Sequence, residues 1–264
     1  MFTVNEFVQP KTIEEAYNTI VDRRNNTIIG GSAFLRLGSK KIGTAVDLAN
    51  LRLNYIKDED GYIEIGAYTT FREIETSSLL IDHFNGVISN SVKNIIGVQF
   101  RNIVTVGASV FSKYGFSDLL TALLALDTEV ELYKAGRMSL DDFLKRPYEK
   151  DILICVYIKK NQRQASYQHL RNSVSDYPIL NVAVSSLNNQ WRITVGARPQ
   201  KAAMARKASA ALSNHLSIEN LEYYADLAAE ELNFGSNERG TAEYRKAMCG
   251  VLVKRAIMEV LQCK

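Results

Sequence analysis

The chain reads as an α+β fold in three consecutive pieces, and three observations predict it. Residues 1–52 place one amphipathic helix between short apolar runs. Residues 53–150 open on a hairpin signal and continue into helical stretches. Residues 151–264 give four strand-like runs followed by three helical ones. Hydrophobic residues make up 46% of the 264 and charged residues 23%, the balance of a globular protein with an ordinary core.

In the first piece, Thr12-Ile13-Glu14-Glu15 has the form of a capping box, with Pro10 just ahead. Ile13, Ala16, Tyr17, Ile20 and Val21 then share one helical face. Thr27-Ile28-Ile29 is a short strand entering a glycine turn, and Thr44–Leu48 returns as a strand, which makes 1–52 a β-α-β unit. In the second, Asp58-Glu59-Asp60-Gly61 between Asn54–Lys57 and Tyr62–Ile65 is a hairpin signal. Short helices are expected at Thr70–Ile74, Leu79–Phe84 and Gly86–Asn94, then a strand into a second glycine turn. A buried helix follows from Asp118 to Leu126, then a strand at Glu129–Tyr133. In the third, strands are expected at Ile152–Ile158, Ser166–Leu170, Leu180–Leu187 and Trp191–Val195. Helices are expected near Ala202–Leu212, Ile218–Leu232 and Thr241–Leu261.

Charge and cysteine usage exclude several function classes. A net charge of +3 without a dense basic cluster gives no case for nucleic acid. Cys155, Cys249 and Cys263 have no metal-type spacing, so no zinc or iron–sulfur site is expected, and scattered cysteines suit a reducing cytoplasm. No apolar run approaches the roughly 18 residues of a membrane span. The N-terminal residues lack a basic-then-apolar signal pattern. His83, His169 and His215 lie far in sequence from both glycine turns and read as structural or surface residues. No acid–base pair or nucleophilic triad emerges, so no catalytic residue is assigned.

The two glycine turns carry the functional signal. The first is Ile28-Ile29-Gly30-Gly31-Ser32-Ala33-Phe34. The second is Thr105-Val106-Gly107-Ala108-Ser109, followed by Ser112 and by Ser117-Asp118. Small residues after β-branched runs let backbone N–H groups approach a ligand, and such groups can bind phosphate without a lysine. Two turns some seventy residues apart could grip a diphosphate from two sides. Taken alone, a Gly-Gly-Ser turn after a strand is weak evidence and is more often a plain tight turn than a phosphate site. Neither a Gly-x-Gly-x-x-Gly nor a Walker-type pattern occurs.

The order of these segments resembles the FAD-binding medium subunit of molybdenum hydroxylases, the family of the flavin subunits of xanthine dehydrogenase and carbon monoxide dehydrogenase. The matching segments are Ile29-Gly30-Gly31-Ser32-Ala33, Gln99-Phe100-Arg101-Asn102-Ile103-Val104-Thr105-Val106-Gly107-Ala108-Ser109, Asp118-Leu119 through Asp127, Gly196–Ala202, and Tyr244–Lys246 through Ala256. The resemblance spans nearly the whole chain. It implies a two-part FAD-binding domain of the PCMH type (1–52 and 53–150) and a C-terminal α+β domain (151–264) like that of the CO dehydrogenase flavoprotein. It implies FAD bound by Ile28, Ile29, Gly30, Gly31, Ser32, Ala33, Phe34, Thr105, Gly107, Ala108 and Ser109, with Ser112 and Asp118 further along the same site. It also implies partners: a large subunit with the molybdenum cofactor and a small subunit with 2Fe–2S clusters. Electrons would pass from those clusters through FAD to NAD or another acceptor, in the cytoplasm.

Departures from the family pattern are Ala33 for an acidic residue, Gly-Ala-Ser for Gly-Gly-Asn, and Lys113-Tyr114-Gly115-Phe116 for a smaller, proline-containing stretch. Asp118 keeps two readings, helix N-cap and cofactor ligand, which are compatible. Ile95 and Ile96 are either plain core or the apolar contact of the isoalloxazine, and Arg101 reads as a loop anchor. Two alternatives stay open: a flavin-free docking subunit of the same fold, and a stand-alone flavin reductase like the enolpyruvyl-glucosamine reductase of cell-wall synthesis.

Overall fold

The computed structural model describes residues 2–262, so Cys263 lies outside the described residues. In chain order the elements are β1 (Thr3–Val8), α1 (Ile13–Asp22), β2 (Thr27–Ile29), β3 (Lys41–Asp47), β4 (Ile56–Glu59), β5 (Tyr62–Gly66), α2 (Phe71–Thr76), α3 (Ser78–Asp82), α4 (Val87–Val92), α5 (Val98–Arg101), α6 (Val106–Phe111) and α7 (Asp118–Ala125). They continue with β6 (Thr128–Leu132), β7 (Gly136–Ser139), α8 (Leu140–Lys145), β8 (Leu153–Lys159), β9 (Gln164–Leu170), β10 (Leu180–Leu187), β11 (Gln190–Gly196), β12 (Ala203–Met204), α9 (Arg206–Asn214), α10 (Leu221–Glu231) and α11 (Ala242–Gln262).

Two compact units form, each from discontinuous segments. The first gathers 1–73, 98–112 and 129–158; the second gathers 74–97, 113–128 and 159–264.

The first unit holds a three-stranded sheet in the order β1-β3-β2, parallel throughout, and a five-stranded sheet in the order β4-β5-β8-β6-β7. At the start of helix α1 Thr12 Oγ1 accepts from Glu15 N–H as a capping box predicts, while the Glu15 carboxylate reaches one residue further back and accepts from Lys11 N–H. Ala16 and Ile20 of α1 pack with Val46, Leu48, Leu53 and Ile152 in a small core. At the other end of α1, Lys150 Nζ donates to the carbonyls of Ile20 and Arg23, partners that the last turn of a helix lacks.

The second unit is built on an antiparallel sheet in the order β12-β11-β10-β9. Strand alternation sorts its two faces. Leu180, Val182, Val184, Trp191, Ile193 and Val195 enter one core with residues of α9, α10 and α11. The opposite face carries Asn181, Ser185 and Thr194, which bond to α7: Thr194 Oγ1 donates to Thr121 O at 2.9 Å, and Thr121 Oγ1 donates to Asn181 Oδ1 at 2.8 Å. All eight residues of α7 are buried. Gly196 is required there, because a Cβ would fall 2.1 Å from Thr121 Oγ1.

Two expectations differ: the helix expected from Ala202 opens as strand β12 and begins only at Arg206, and a strand is missing. The strand into the second glycine turn is absent; the chain runs through helix α5 and then straight into α6. The β-branched run Ile103-Val104-Thr105 makes only an isolated bridge, Thr70 to Thr105. Thr105 caps α6 instead, its Oγ1 accepting from Ala108 N–H at 3.2 Å. Local capping outweighs β propensity in so short a run.

Candidate functional site

Strand β2 pairs with β3 through Ile29 beside Asp47 and then leaves the sheet. Gly31 (φ +56°) and Ser32 (φ +53°) both take left-handed backbone, and Ser32 N–H closes the turn onto Gly30 O at 2.6 Å. Residues 28–33 are partly exposed and Phe34 is exposed. The turn thus lies at the C-terminal end of a parallel strand, the edge at which open α/β sheets present ligand sites.

The second segment folds directly against the first. A Cβ on Gly31 would lie 1.6 Å from Ile103 O, and one on Gly30 would lie 2.9 Å from Thr105 Oγ1. Two stretches far apart in sequence are therefore interlocked through glycine within one unit. Gly107 is explained by another approach: its Cβ would fall 2.8 Å from Ala67 O.

The amides of the second segment are engaged internally. Val106 N–H donates to Thr69 O (2.9 Å), Gly107 N–H to Ala67 O (2.7 Å), and Ser109 N–H to Thr105 O (3.1 Å). Ala108 N–H is held by the Thr105 hydroxyl. An open cradle of N–H groups is thus not what this segment forms. It fixes the back of the first turn, with Thr105 and Ser109 buried, Gly107 and Ala108 partly exposed, and Ser112 exposed at the end of α6.

Asp118 belongs to the second unit. It is not the cap of α7; Ser117 is, its Oγ accepting from Leu120 N–H at 3.2 Å. Asp118 occupies the next position, 4% exposed, and its Oδ1 accepts from Arg171 Nη2 (2.8 Å), Asn181 Nδ2 (3.0 Å) and the Tyr167 hydroxyl. Burial, then the Asp118 charge, push the Tyr167 phenol well above its ordinary pKa, so it remains a donor. These three partners lie some fifty to sixty residues from Asp118, and no local pattern in the sequence marks them.

Ile95 is buried, whereas Ile96 is 41% exposed with φ +51°. A β-branched residue in left-handed backbone is a strained outlier. Arg101 is buried. The buried thiols Cys155 and Cys249 are each pushed by burial up to about 12 and are inert as nucleophiles near neutral pH. Among the described residues no group of His, Cys, Asp and Glu could hold a metal. Among the described residues no helix is long and apolar enough to cross a membrane.

The first turn fits a diphosphate-bearing cofactor. Neither 28–34 nor 103–112 contains a carboxylate, so no fixed negative charge within these segments opposes phosphate, and the turn keeps small, partly exposed residues.

The fold is α+β, with a glycine turn at the end of a parallel strand buttressed by the second segment. Residues 2–158 match the family described as "FAD binding domain in molybdopterin dehydrogenase", and residues 165–260 match the "CO dehydrogenase flavoprotein C-terminal domain". The chain belongs to this family, and FAD is its cofactor. It is 26% identical to the nicotine 6-hydroxylase medium subunit of Paenarthrobacter nicotinovorans, with 96% of each chain covered. It is 21% identical to the xanthine dehydrogenase FAD-binding subunit of Escherichia coli O157:H7, covering 99% of this chain and 97% of that one. In fold it resembles a chain of carbon monoxide dehydrogenase from Hydrogenophaga pseudoflava, with a TM-score of 0.89, 22% identity and 97% of each chain covered. A chain of quinoline 2-oxidoreductase from Pseudomonas putida 86 gives a TM-score of 0.87 at 21% identity, covering 98% of this chain and 97% of that one.

Proposed function

We propose that this chain is the FAD-carrying medium subunit of a heteromeric molybdenum hydroxylase. It works with a large subunit that holds the molybdenum cofactor and a small subunit that holds 2Fe–2S clusters. Electrons from those clusters leave through its FAD to NAD or another acceptor, in the cytoplasm. The observation that carries this reading is the interlock of Gly30 and Gly31 with Ile103 and Thr105, which joins two family motifs that themselves contain no carboxylate. Names of relatives that span nearly the full length, a nicotine 6-hydroxylase medium subunit and a xanthine dehydrogenase FAD-binding subunit, support it.

In this reading Ile28, Ile29, Gly30, Gly31, Ser32, Ala33 and Phe34 hold the diphosphate side of FAD. Thr105, Gly107, Ala108, Ser109 and Ser112 buttress and border that turn, and Asp118 accepts from a sugar or ribityl hydroxyl. Ile96 supplies an apolar contact for the isoalloxazine. FAD, when bound, supplies the redox chemistry, accepting and releasing electrons. The chain's own residues bind and orient it, and none is assigned as a catalytic acid, base or metal ligand. We read 1–52 and 53–150 as the two FAD-binding subdomains and 151–264 as the C-terminal α+β domain.

The test is an absorption spectrum and FAD titration of the purified chain. Bound flavin, with saturable binding of FAD, is expected. A chain that purifies without flavin and does not take it up overturns the reading and favours a flavin-free docking subunit.

A further inference from the structure

Asp118 has a carboxylate of unequal halves. Oδ1 collects three donors, while Oδ2 accepts no hydrogen bond among the described residues. Oδ2 is also not one of the sealed, unpartnered polar atoms, which are Trp191 Nε1 and Arg198 Nε. A buried carboxylate is costly unless its charge and lone pairs are met.

Arginine usually meets a carboxylate with a two-pronged fork that covers both oxygens. Arg171 does not. It spends Nη1 on Asp176 O and Nε on His169 Nδ1 (3.3 Å), leaving Nη2 alone for Asp118 Oδ1. The other two donors are equally fixed. Asn181 Oδ1 is occupied by the Thr121 hydroxyl, which turns the amide NH2 toward Asp118. Desolvation of the partly buried Tyr167 keeps it a neutral phenol, and it donates. Asp118 is also released from capping α7, since Ser117 does that.

We propose that Arg171, helped by Tyr167 and Asn181, is a positioning residue for the cofactor: it pins Asp118 by Oδ1 so that Oδ2 accepts a hydrogen bond from a hydroxyl of the bound dinucleotide. The inference rests on the reading of Asp118 as a cofactor ligand. The hydroxyl belongs either to the ribityl chain or to the adenosine ribose, which share the same donor chemistry.

The experiment is a double-mutant cycle on FAD affinity of the full chain, with thermal melting of each apoprotein. Asp118→Ala is expected to weaken FAD binding at least tenfold. Arg171→Met is expected to do so comparably, with partial recovery in Arg171→Lys. In the Asp118→Ala background, Arg171→Met should cost less than threefold more, because there is then no carboxylate to position. A purely structural arginine would give additive losses, or a lowered melting temperature with affinity intact, and either result overturns the proposal. If Arg171→Met does not fold, Tyr167→Phe keeps the side-chain volume and removes one donor. A weakening of twofold or more, lost in the Asp118→Ala background, is expected, and unchanged affinity overturns the proposal. Repeating the titrations with riboflavin and with ADP separates the two hydroxyls: a ribityl contact carries the effect into riboflavin, a ribose contact into ADP. Asp118→Ala with unaltered FAD affinity overturns this proposal while leaving the FAD-subunit reading intact. A wild-type chain that binds no FAD overturns both.

Discussion

Gly31 combines two constraints that substitution would expose separately. Its φ of +56° costs a side-chain-bearing residue about 1–2 kcal/mol, and any Cβ meets Ile103 O. Gly31→Ala should therefore lower both the melting temperature and flavin content, and Gly31→Asp should lower flavin content further by placing negative charge beside phosphate. Comparing the two variants isolates charge from strain; equal flavin content in both would remove the phosphate from this turn. Ile96 makes the opposite case. Its left-handed backbone at φ +51° should be relieved by glycine, so Ile96→Gly is expected to raise apoprotein stability by about 1 kcal/mol while weakening FAD binding. Denaturant melts and FAD titration on the same samples check both halves.

Helix α7 and the strands against it set the chemistry of the second unit. Ser117 caps the helix, so Ser117→Ala should cost about 1 kcal/mol of stability and leave FAD affinity within about twofold. Asp118→Ala should weaken FAD binding at least tenfold, beyond the loss of stability that comes from leaving Arg171 buried without its carboxylate. Swapped effects would return the capping role to Asp118. His169, on β9, adds a pH dependence. Burial, then Arg171 and more weakly Lys93, hold its pKa below the ordinary 6.5, although Asp118 pulls the other way. The unfolded chain therefore takes up the proton first. Stability from this group is full above about pH 6.5 and is lost as pH falls from there toward the lower folded value. Thermal melts from pH 7.5 to 5 should fall more steeply for the wild type than for His169→Gln; parallel curves would remove His169 from the acid response.

At the scale of the whole molecule, the proposed division of labour places FAD on this chain and substrate chemistry on a partner subunit. The purified chain is expected not to reduce its flavin when given purines or other heterocycles. In its native host it should co-purify with an iron–sulfur and a molybdenum-binding subunit. Substrate-dependent flavin bleaching by the chain alone would point to a self-sufficient flavoenzyme. FAD at 100 times its dissociation constant should stabilise the protein by about 2.7 kcal/mol, visible as a concentration-dependent rise in melting temperature.

The sequence by itself determined the α+β class, the capping box of α1, the β4–β5 hairpin at Asp60-Gly61, and the β10–β11 pair around Asn188-Asn189. These are local signals: side-chain periodicity, turn chemistry and caps act within a few residues. It also carried the family motifs that point to FAD. Tertiary structure decided what those motifs do. Ile103-Val104-Thr105 reads as a strand, yet becomes the approach to a helix because Thr105 caps α6 and Val106 and Gly107 bond to Thr69 and Ala67. The three donors on Asp118 Oδ1 come from β9, β10 and the segment between them, and nothing local to Asp118 specifies them. Gly30 and Gly31 are fixed by Ile103 and Thr105 across some seventy residues. Close approach between distant segments is a property of the packed chain, and no window along the sequence contains it.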